Sequence, residues 1–405
     1  MESRYRRVLL FGSLVMLIAL GIRHGFGLFL QPMSSDLGWG REVFSIAIAM
    51  QNIVWGLAQP FSGMLADRFG AGRVVLAGAL LYAAGLWLMS ASGSPGELYL
   101  SAGLLIGLGL SGTTFSIVYG VIGRAASPEK RTMALGIAGA AASFGQFVMV
   151  PGSQALIGWG GWAFALAVLA AVAFLMAPFS AALMENPHAH PGPRQTLGEA
   201  LREARAQRSF WLLLLGYFTC GFQVVFIGSH LPAYLVDRGL SPRDGMLALA
   251  LIGLFNIAGS LGAGWFGSRY SKKNLLALIY FGRTAVIVAL LMLPLTPLTA
   301  AAFGVAMGFL WLGTVPLTNG IVAQIFGVRH LAMLSGFVFF SHQFGSFVGV
   351  WAGGWLFDRT GSYDIVWIIA AALGVIAGLV NLPIDERPLR RLRPSPAGGS
   401  SGSSA

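Results

Sequence analysis

The sequence predicts an all-α membrane protein of twelve transmembrane helices in two six-helix, pseudo-symmetric bundles, and three observations carry that prediction. The 405-residue chain is 56% hydrophobic and only 10% charged, with a mean hydropathy of +0.73, whereas an ordinary soluble domain is about 25% charged. Twelve apolar stretches follow one another, each long enough to cross a hydrocarbon core of about 30 Å at about 1.5 Å per residue. A loop motif also recurs at the same place in each half of the chain.

The stretches fall at 8–30, 42–66, 73–91, 97–122, 132–156, 161–184, 210–235, 245–267, 275–293, 298–322, 331–356 and 363–383. The first follows Arg4, Arg6 and Arg7 with no small-residue cleavage site after it, so a retained helix is expected rather than a leader. Residues 185–209, the longest polar stretch, divide an N-terminal six-helix bundle (1–184) from a C-terminal one (210–387). This linker carries three prolines, and its residues 197–208 fit an amphipathic helix on the membrane surface. His188 and His190 within it read as solvated loop residues rather than a metal site. The tail, 388–405, is basic and then Gly/Ser-rich, and is expected to be disordered.

Charge placement sets the orientation. With both termini on one side, only Arg41, Arg238, Arg243 and Arg359 of the 26 lysines and arginines fall on the other, and Arg23 and Arg283 fall within the membrane. The positive-inside bias then puts both termini in the cytoplasm of a multi-pass plasma (inner) membrane protein. The net charge of +11 becomes a topology device whose partner is anionic lipid, not nucleic acid. The single cysteine, Cys220, excludes an internal disulfide and a cysteine-built metal centre. No GxxxxGK[ST] loop is present, which disfavours nucleotide hydrolysis. The expectation is a monomer with no cofactor and no metal.

The repeated motif is GMLADRFGAGR at 63–73, matched by GWFGSRYSKKN at 264–274. Gly63 corresponds to Gly264, Arg68 to Arg269 and Phe69 to Tyr270, while Ser268 stands where the first copy has Asp67. Parallel six-helix repeats of this kind are a signature of rocking transporters with a midplane site. The GxLADRxGxxR pattern resembles the signature of the major facilitator superfamily, and the resemblance covers the whole chain. It implies that fold, and it implies that Asp67, Arg68 and Arg73 latch a cytoplasmic gate; the alternative is a short basic loop that only anchors topology.

Three further stretches resemble the monocarboxylate transporter and oxalate/formate antiporter branch: RHGFGLFLQPMSSDLGWGRE (23–42), KRTMALGIAGAAASFGQFVMVP (130–151) and GGWLFDRTGSYDIVW (353–367). The fifth helix lacks the GPxxGG pattern of drug/proton antiporters. By this resemblance His24 falls where monocarboxylate transporters carry a substrate-facing lysine. His342 falls where the oxalate/formate exchanger has a basic residue, and Trp311 resembles an aromatic wall of that exchanger's site. One departure stands out. The Asp and Arg that many monocarboxylate transporters carry four residues apart on helix 8 are here Asn256 and Ser260, so the resemblance does not extend to that proton relay.

The chemistry-bearing residues point the same way. All 15 acidic residues lie in loops, tails or helix ends, so the ionisable groups at depth are Arg23, His24, Arg283 and His342. A charge near mid-bilayer costs about 2.5–3.5 kcal/mol even on lenient insertion scales, so Arg23 cannot face lipid. A cavity with positive potential and no carboxylate attracts anions. Arg23 is read as lining that cavity or as binding a neighbour's carbonyls, and Arg283 as either structural or substrate-binding. The two histidines are read as proton carriers and carboxylate partners, with a hydrogen-bonded core histidine as the alternative. Gln51, Asn52, Gln59, Thr114, Tyr119, Gln146, Gln223, Asn256, Trp311, Asn319 and Gln343 supply polar or aromatic groups at depth, and His230 is placed at the outer mouth.

The candidate substrate residues are therefore Arg23, His24, Gln51, Tyr119, Gln146, Asn256, Arg283, Trp311 and His342. The expected function is secondary active transport of a small organic anion, a monocarboxylate first, by alternating access with proton symport or anion exchange. The competing reading is a transporter-like nutrient sensor that binds an organic anion and signals to a partner. No set of nucleophile, base and carboxylate lies at one depth, so an enzyme is not expected.

Overall fold

Backbone groups in a bilayer have no water to bond with, which leaves the helix as the economical way for this chain to cross it. The computed structural model describes residues 2–184, 202, 204–326 and 331–388. Every regular element among the described residues is helical. Most of the 185–209 linker, including His188 and His190, and nearly all of the 388–405 tail lie outside them.

The N-terminal half comprises α1 (Glu2–His24), α2 (Gly27–Leu37), α3 (Arg41–Phe69), α4 (Ala71–Ser90), α5 (Pro95–Leu98), α6 (Ile106–Thr113), α7 (Phe115–Ala125), α8 (Pro128–Phe174) and α9 (Met176–Phe179). The C-terminal half comprises α10 (Arg208–Asp237), α11 (Pro242–Gly267), α12 (Lys272–Met292), α13 (Pro297–Leu310), α14 (Thr314–Phe326), α15 (Leu331–Thr360) and α16 (Asp364–Asn381). Among the described residues ten helical segments are long and apolar enough to cross a membrane. One of them holds α8, which folds back at Gly161 (φ 80°) and so makes two spans. With the 30-residue α15 the count reaches twelve. Exposed Trp87, Leu278, Met292, Leu298 and Ile368 mark the lipid-facing surface.

The two halves repeat one packing scheme. A Cβ on Gly21 or Gly145 would collide with the backbone of the facing helix, at Gly145 and Leu17 respectively. In the second half Gly221 and Gly345 meet the backbone of His342 and Phe218 in the same way. Small residues let helix backbones approach where apolar burial supplies little drive between helices. A buried tyrosine pins each pair: Tyr82 Oη donates to Ala19 O at 2.9 Å, and Tyr280 Oη to Gly216 O at 2.6 Å.

Three spans are broken at depth. The first is interrupted at Gly25–Phe26 between α1 and α2, the fourth at Thr114 between α6 and α7, and the tenth at 311–313 between α13 and α14. A break frees main-chain groups that lipid cannot satisfy, so side chains must meet them. The halves face each other through α3 on α15, α8 on α11, and α2 on α10. The face at which α1 begins and α16 ends is the terminal face, and the opposite one is the distal face.

Candidate functional site

The break in the first span determines where Arg23 points. As the next-to-last residue of α1 it lies at the negative end of a helix dipole, a favourable place for a cation. Its side chain is 8% exposed, and Nη2 donates to Asn52 Oδ1 at 2.9 Å. Its Nε has no hydrogen-bond partner. Asn52 belongs to α3, and its main-chain oxygen accepts from Gln343 Nε2 of α15 at 3.2 Å. Gln343 Oε1 in turn lies 3.1 Å from His342 Nδ1. Arg23, Asn52, Gln343 and His342 therefore form one polar chain that crosses from half to half.

His342 is 9% exposed. Its ring lies 4.9 Å from that of Tyr217 and parallel to Phe339 at 6.1 Å, with Ser346 Oγ 3.5 Å from Nδ1. His24 is half-buried, and its Nδ1 stands 2.6 Å from Leu20 O. If Nδ1 carries the proton, the imidazole is bonded back onto its own helix and Nε2 remains an acceptor.

A second polar group surrounds the break in the tenth span. Arg283 is fully buried. Its Nε donates to Leu310 O at 2.9 Å, Nη2 donates to Trp311 O, and Nη1 reaches Gln223 Oε1 at 3.4 Å. From the other side Asn256 Oδ1 accepts the amide of Leu312 at 3.0 Å, and its Nδ2 donates to Ser143 Oγ of the other half at 2.9 Å. Ser260 donates to the same Asn256 oxygen at 3.1 Å. Asn256, steadied by Ser260, thus holds an unwound backbone. Trp311 is buried and its indole Nε1 is unpaired. Among the described residues neither Arg23 nor Arg283 has a carboxylate partner.

The remaining sequence candidates are more scattered. Gln146 of α8 crosses the seam to Leu249 O at 2.9 Å, close to the Ser143–Asn256 contact. Gln51 turns away from the seam to Ala102 O in the π-helical turn Tyr99–Leu105, leaving its Oε1 unpaired. Tyr119 stacks edge-on with Phe115, and its hydroxyl lies over Gly139, inside the N-terminal half. Arg68 and Arg73 are exposed at the terminal face, and Arg68 covers the ring of Phe69 at 5.2 Å. The backbone of Asp67 belongs to the last turn of α3, while its side chain lies outside the described part.

Sequence reasoning missed one constellation entirely, at the distal face. Arg41 opens α3, and its guanidinium donates to both oxygens of Asp237 at 2.5 and 2.7 Å and to Tyr363 Oη at 2.9 Å. It lies 3.8 Å over the ring of Phe357. Asp358 accepts the free amides of Arg41 and Glu42 at 2.9 and 2.7 Å, and so caps α3 from the other half. His230, expected near the outer end of its helix, lies there behind this group and is buried, 3.1 Å from Tyr363 Oη and 2.9 Å from Val350 O. Residue type gave no warning, because each of these acids reads as an ordinary loop charge.

Two six-helix repeats that enclose an uncompensated, buried guanidinium on a polar seam define a polytopic membrane carrier. The comparisons with known proteins agree. The Major Facilitator Superfamily profile matches residues 9–316, and the chain belongs to that family. It is 27% identical over 390 residues to a protein of Bacillus subtilis (strain 168) named "Uncharacterized MFS-type transporter YcxA", covering 93% of this chain and 94% of that one. It is 27% identical over 384 residues to monocarboxylate transporter 13 of Bos taurus, covering 90% and 86%, and 27% identical over 382 residues to monocarboxylate transporter 11 of Mus musculus, covering 88% and 81%. A solved structure with the same fold is that of a bacterial homolog to the human lysosomal transporter Spinster, in an inward-facing and occupied conformation. Its TM-score is 0.76 at 15% identity, covering 92% of this chain and 95% of that one.

Proposed function

We propose that this transporter carries a small organic anion, a monocarboxylate in the first instance, by alternating access. The observation that carries the reading is Arg23: a buried guanidinium with one side-chain partner, an unpaired Nε, and no carboxylate against it. A buried cation left uncompensated costs several kcal/mol, and an arriving carboxylate removes that cost by pairing with the guanidinium fork. Its place on a chain that ends at His342 of the other half lets one ligand touch both halves, as a rocking carrier requires. Relatives named monocarboxylate transporters support the substrate class.

In this reading both termini face the cytoplasm, in keeping with the positive-inside pattern, and the protein works as a monomer in the plasma membrane. The closed distal face, where Arg41 meets Asp237 and Asp358 caps α3, is then the outer one. Asp67, Arg68 and Arg73 serve the opposite gate. Energy comes from proton symport or from exchange against a second anion.

Uptake of labelled acetate, lactate, pyruvate and oxalate into proteoliposomes tests the proposal, with a pH gradient in one series and internal unlabelled anion in another. Saturable uptake in either series supports it and separates symport from exchange. Binding without uptake in both series would favour a sensor, and neither binding nor uptake would reject an organic-anion site.

A further inference from the structure

We propose that the distal end of the C-terminal half is a binding site for guanidinium-class cations, occupied by Arg41 of the N-terminal half while the halves are closed there and vacated when they part. Opening toward this face then exchanges a tethered cation for a free one. The proposal rests on alternating access but on no particular substrate.

Arg41 is held as a ligand would be. Its two terminal nitrogens, Nη1 and Nη2, each donate to one oxygen of Asp237, in the two-point geometry that gives arginine–carboxylate pairs their strength. One face is covered by Phe357 at 3.8 Å, and the ring of Tyr363 stands 5.5 Å away, the arrangement by which aromatic surfaces recognise desolvated cations. The hydrogen bonds have a consistent sense. Arg41 Nη1 donates to Tyr363 Oη, His230 Nε2 faces the carbonyl of Val350 and so must be the donor there, and in a neutral imidazole Nδ1 is then left to accept from the Tyr363 hydroxyl. The phenol oxygen is thereby turned toward the cation from behind.

All of these groups except Arg41 belong to one half. Asp237 ends α10, Phe357 and Asp358 end α15, and Tyr363 precedes α16. The seat therefore travels with the C-terminal half, while Arg41 and the two amides capped by Asp358 travel with the other. The remaining charges nearby do not compete for the seat: Arg238 is paired with Asp364 at 2.7 Å, and Arg359 covers Trp355 at 4.0 Å. Glu42 belongs to the departing half. A cleft of about 250 Å³, lined among others by Tyr234, Asp237, Phe357, Tyr363 and the paired Arg238 and Asp364, shares three of the seat's walls. A small cation thus has a route to the seat, and Asp237 and Asp358 lose their partners together when Arg41 withdraws. A ligand that binds only the open state shifts the equilibrium toward it.

Methylguanidinium at low millimolar concentration is the probe, with sodium and tetramethylammonium chloride as controls at equal ionic strength. In Arg41→Ala the seat is empty with its walls intact, so methylguanidinium should raise the unfolding temperature saturably while the controls do not. In Arg41→Ala combined with Asp237→Asn the shift should vanish. No shift in Arg41→Ala, or the same shift in both variants, overturns the site. With native Arg41, spin labels at Gly158→Cys and Leu298→Cys, exposed distal positions on the two halves, should report a longer distance as methylguanidinium is added. A distance that ignores the cation while the Arg41→Ala shift is present would overturn the exchange. No readout needs a transported substrate, so failure here is separable from failure of the organic-anion reading.

Discussion

Ser143 of the N-terminal half and Asn256 of the C-terminal half share a hydrogen bond of 2.9 Å across the seam. Asn256 also accepts the amide of Leu312, so one side chain ties the interface between the halves to the unwound part of the tenth span.

That double duty predicts unequal costs for two substitutions. Ser143→Ala removes one interhelical bond, worth about 0.6 kcal/mol in membrane interiors. Asn256→Ala removes the same bond and also leaves a buried amide unpaired, a loss of about 1–3 kcal/mol. Thermal unfolding in detergent should show a clearly larger fall for Asn256→Ala than for Ser143→Ala. Equal falls would mean that the amide of Leu312 finds another partner.

Arg283 should behave as a structural clamp. It supplies the donors for Leu310 O and Trp311 O, and each carbonyl stranded at depth costs about 1–3 kcal/mol. Arg283→Gln should lower the unfolding temperature at least as much as Asn256→Ala. The fraction that still folds should bind anions with affinity close to that of the unsubstituted protein. A well-folded variant that has lost anion binding would return Arg283 to the substrate site.

The mirrored glycines give a test with two opposing terms. Replacing a helix-interior glycine by alanine gains about 1 kcal/mol of helix propensity, while overpacking costs about 1–3 kcal/mol. At Gly145 and Gly345 the obstacle is the facing backbone, which cannot swing aside, so the cost should win and both variants should be destabilised. Gly136, on the same helix as Gly145, has nothing within 4 Å of an added Cβ, and Gly136→Ala should be neutral or stabilising. Melting temperatures of the three variants decide it.

The twelve spans were legible because lipid excludes polar side chains, so hydropathy records the membrane directly. The six-plus-six repeat was legible through Gly63–Gly264 and Arg68–Arg269. Arg23 and His342 stood out as ionisable residues at depth, although nothing in their spacing revealed that Asn52 and Gln343 join them. Arg283 could not be assigned from sequence because its shortest bonds go to the main-chain oxygens of Leu310 and Trp311, which leave no trace in residue type. The helix breaks at Gly25, Thr114 and Trp311 were hidden among many other glycines and threonines. The Arg41 seat was invisible for a different reason: its acids, Asp237 and Asp358, are far away along the chain and look like loop charges.

The last prediction separates Arg23 from Arg283. Arg23 donates through one nitrogen to Asn52, and its Nε is idle. Substitution there removes a buried, uncompensated charge and puts at risk a single acceptor, Asn52 Oδ1, which a glutamine side chain meets with a shorter reach. Losing a desolvated cation is favourable for stability, and an unpaired amide oxygen costs about 1–3 kcal/mol, so the two terms offset and Arg23→Gln should fold with little change in melting temperature. Glutamine can still donate to Asn52 but brings no charge, so anion affinity should fall by at least tenfold, the loss of about 1.4 kcal/mol that a single charge-assisted hydrogen bond represents. Arg23→Lys keeps the charge and loses the planar fork, and should fall between the two for a carboxylate that bonds in two-point geometry. Isothermal titration with short carboxylates on all three proteins provides the measurement. The ranking arginine, lysine, glutamine supports the substrate arginine, whereas indistinguishable affinities would leave Arg23 as a carrier of local structure alone.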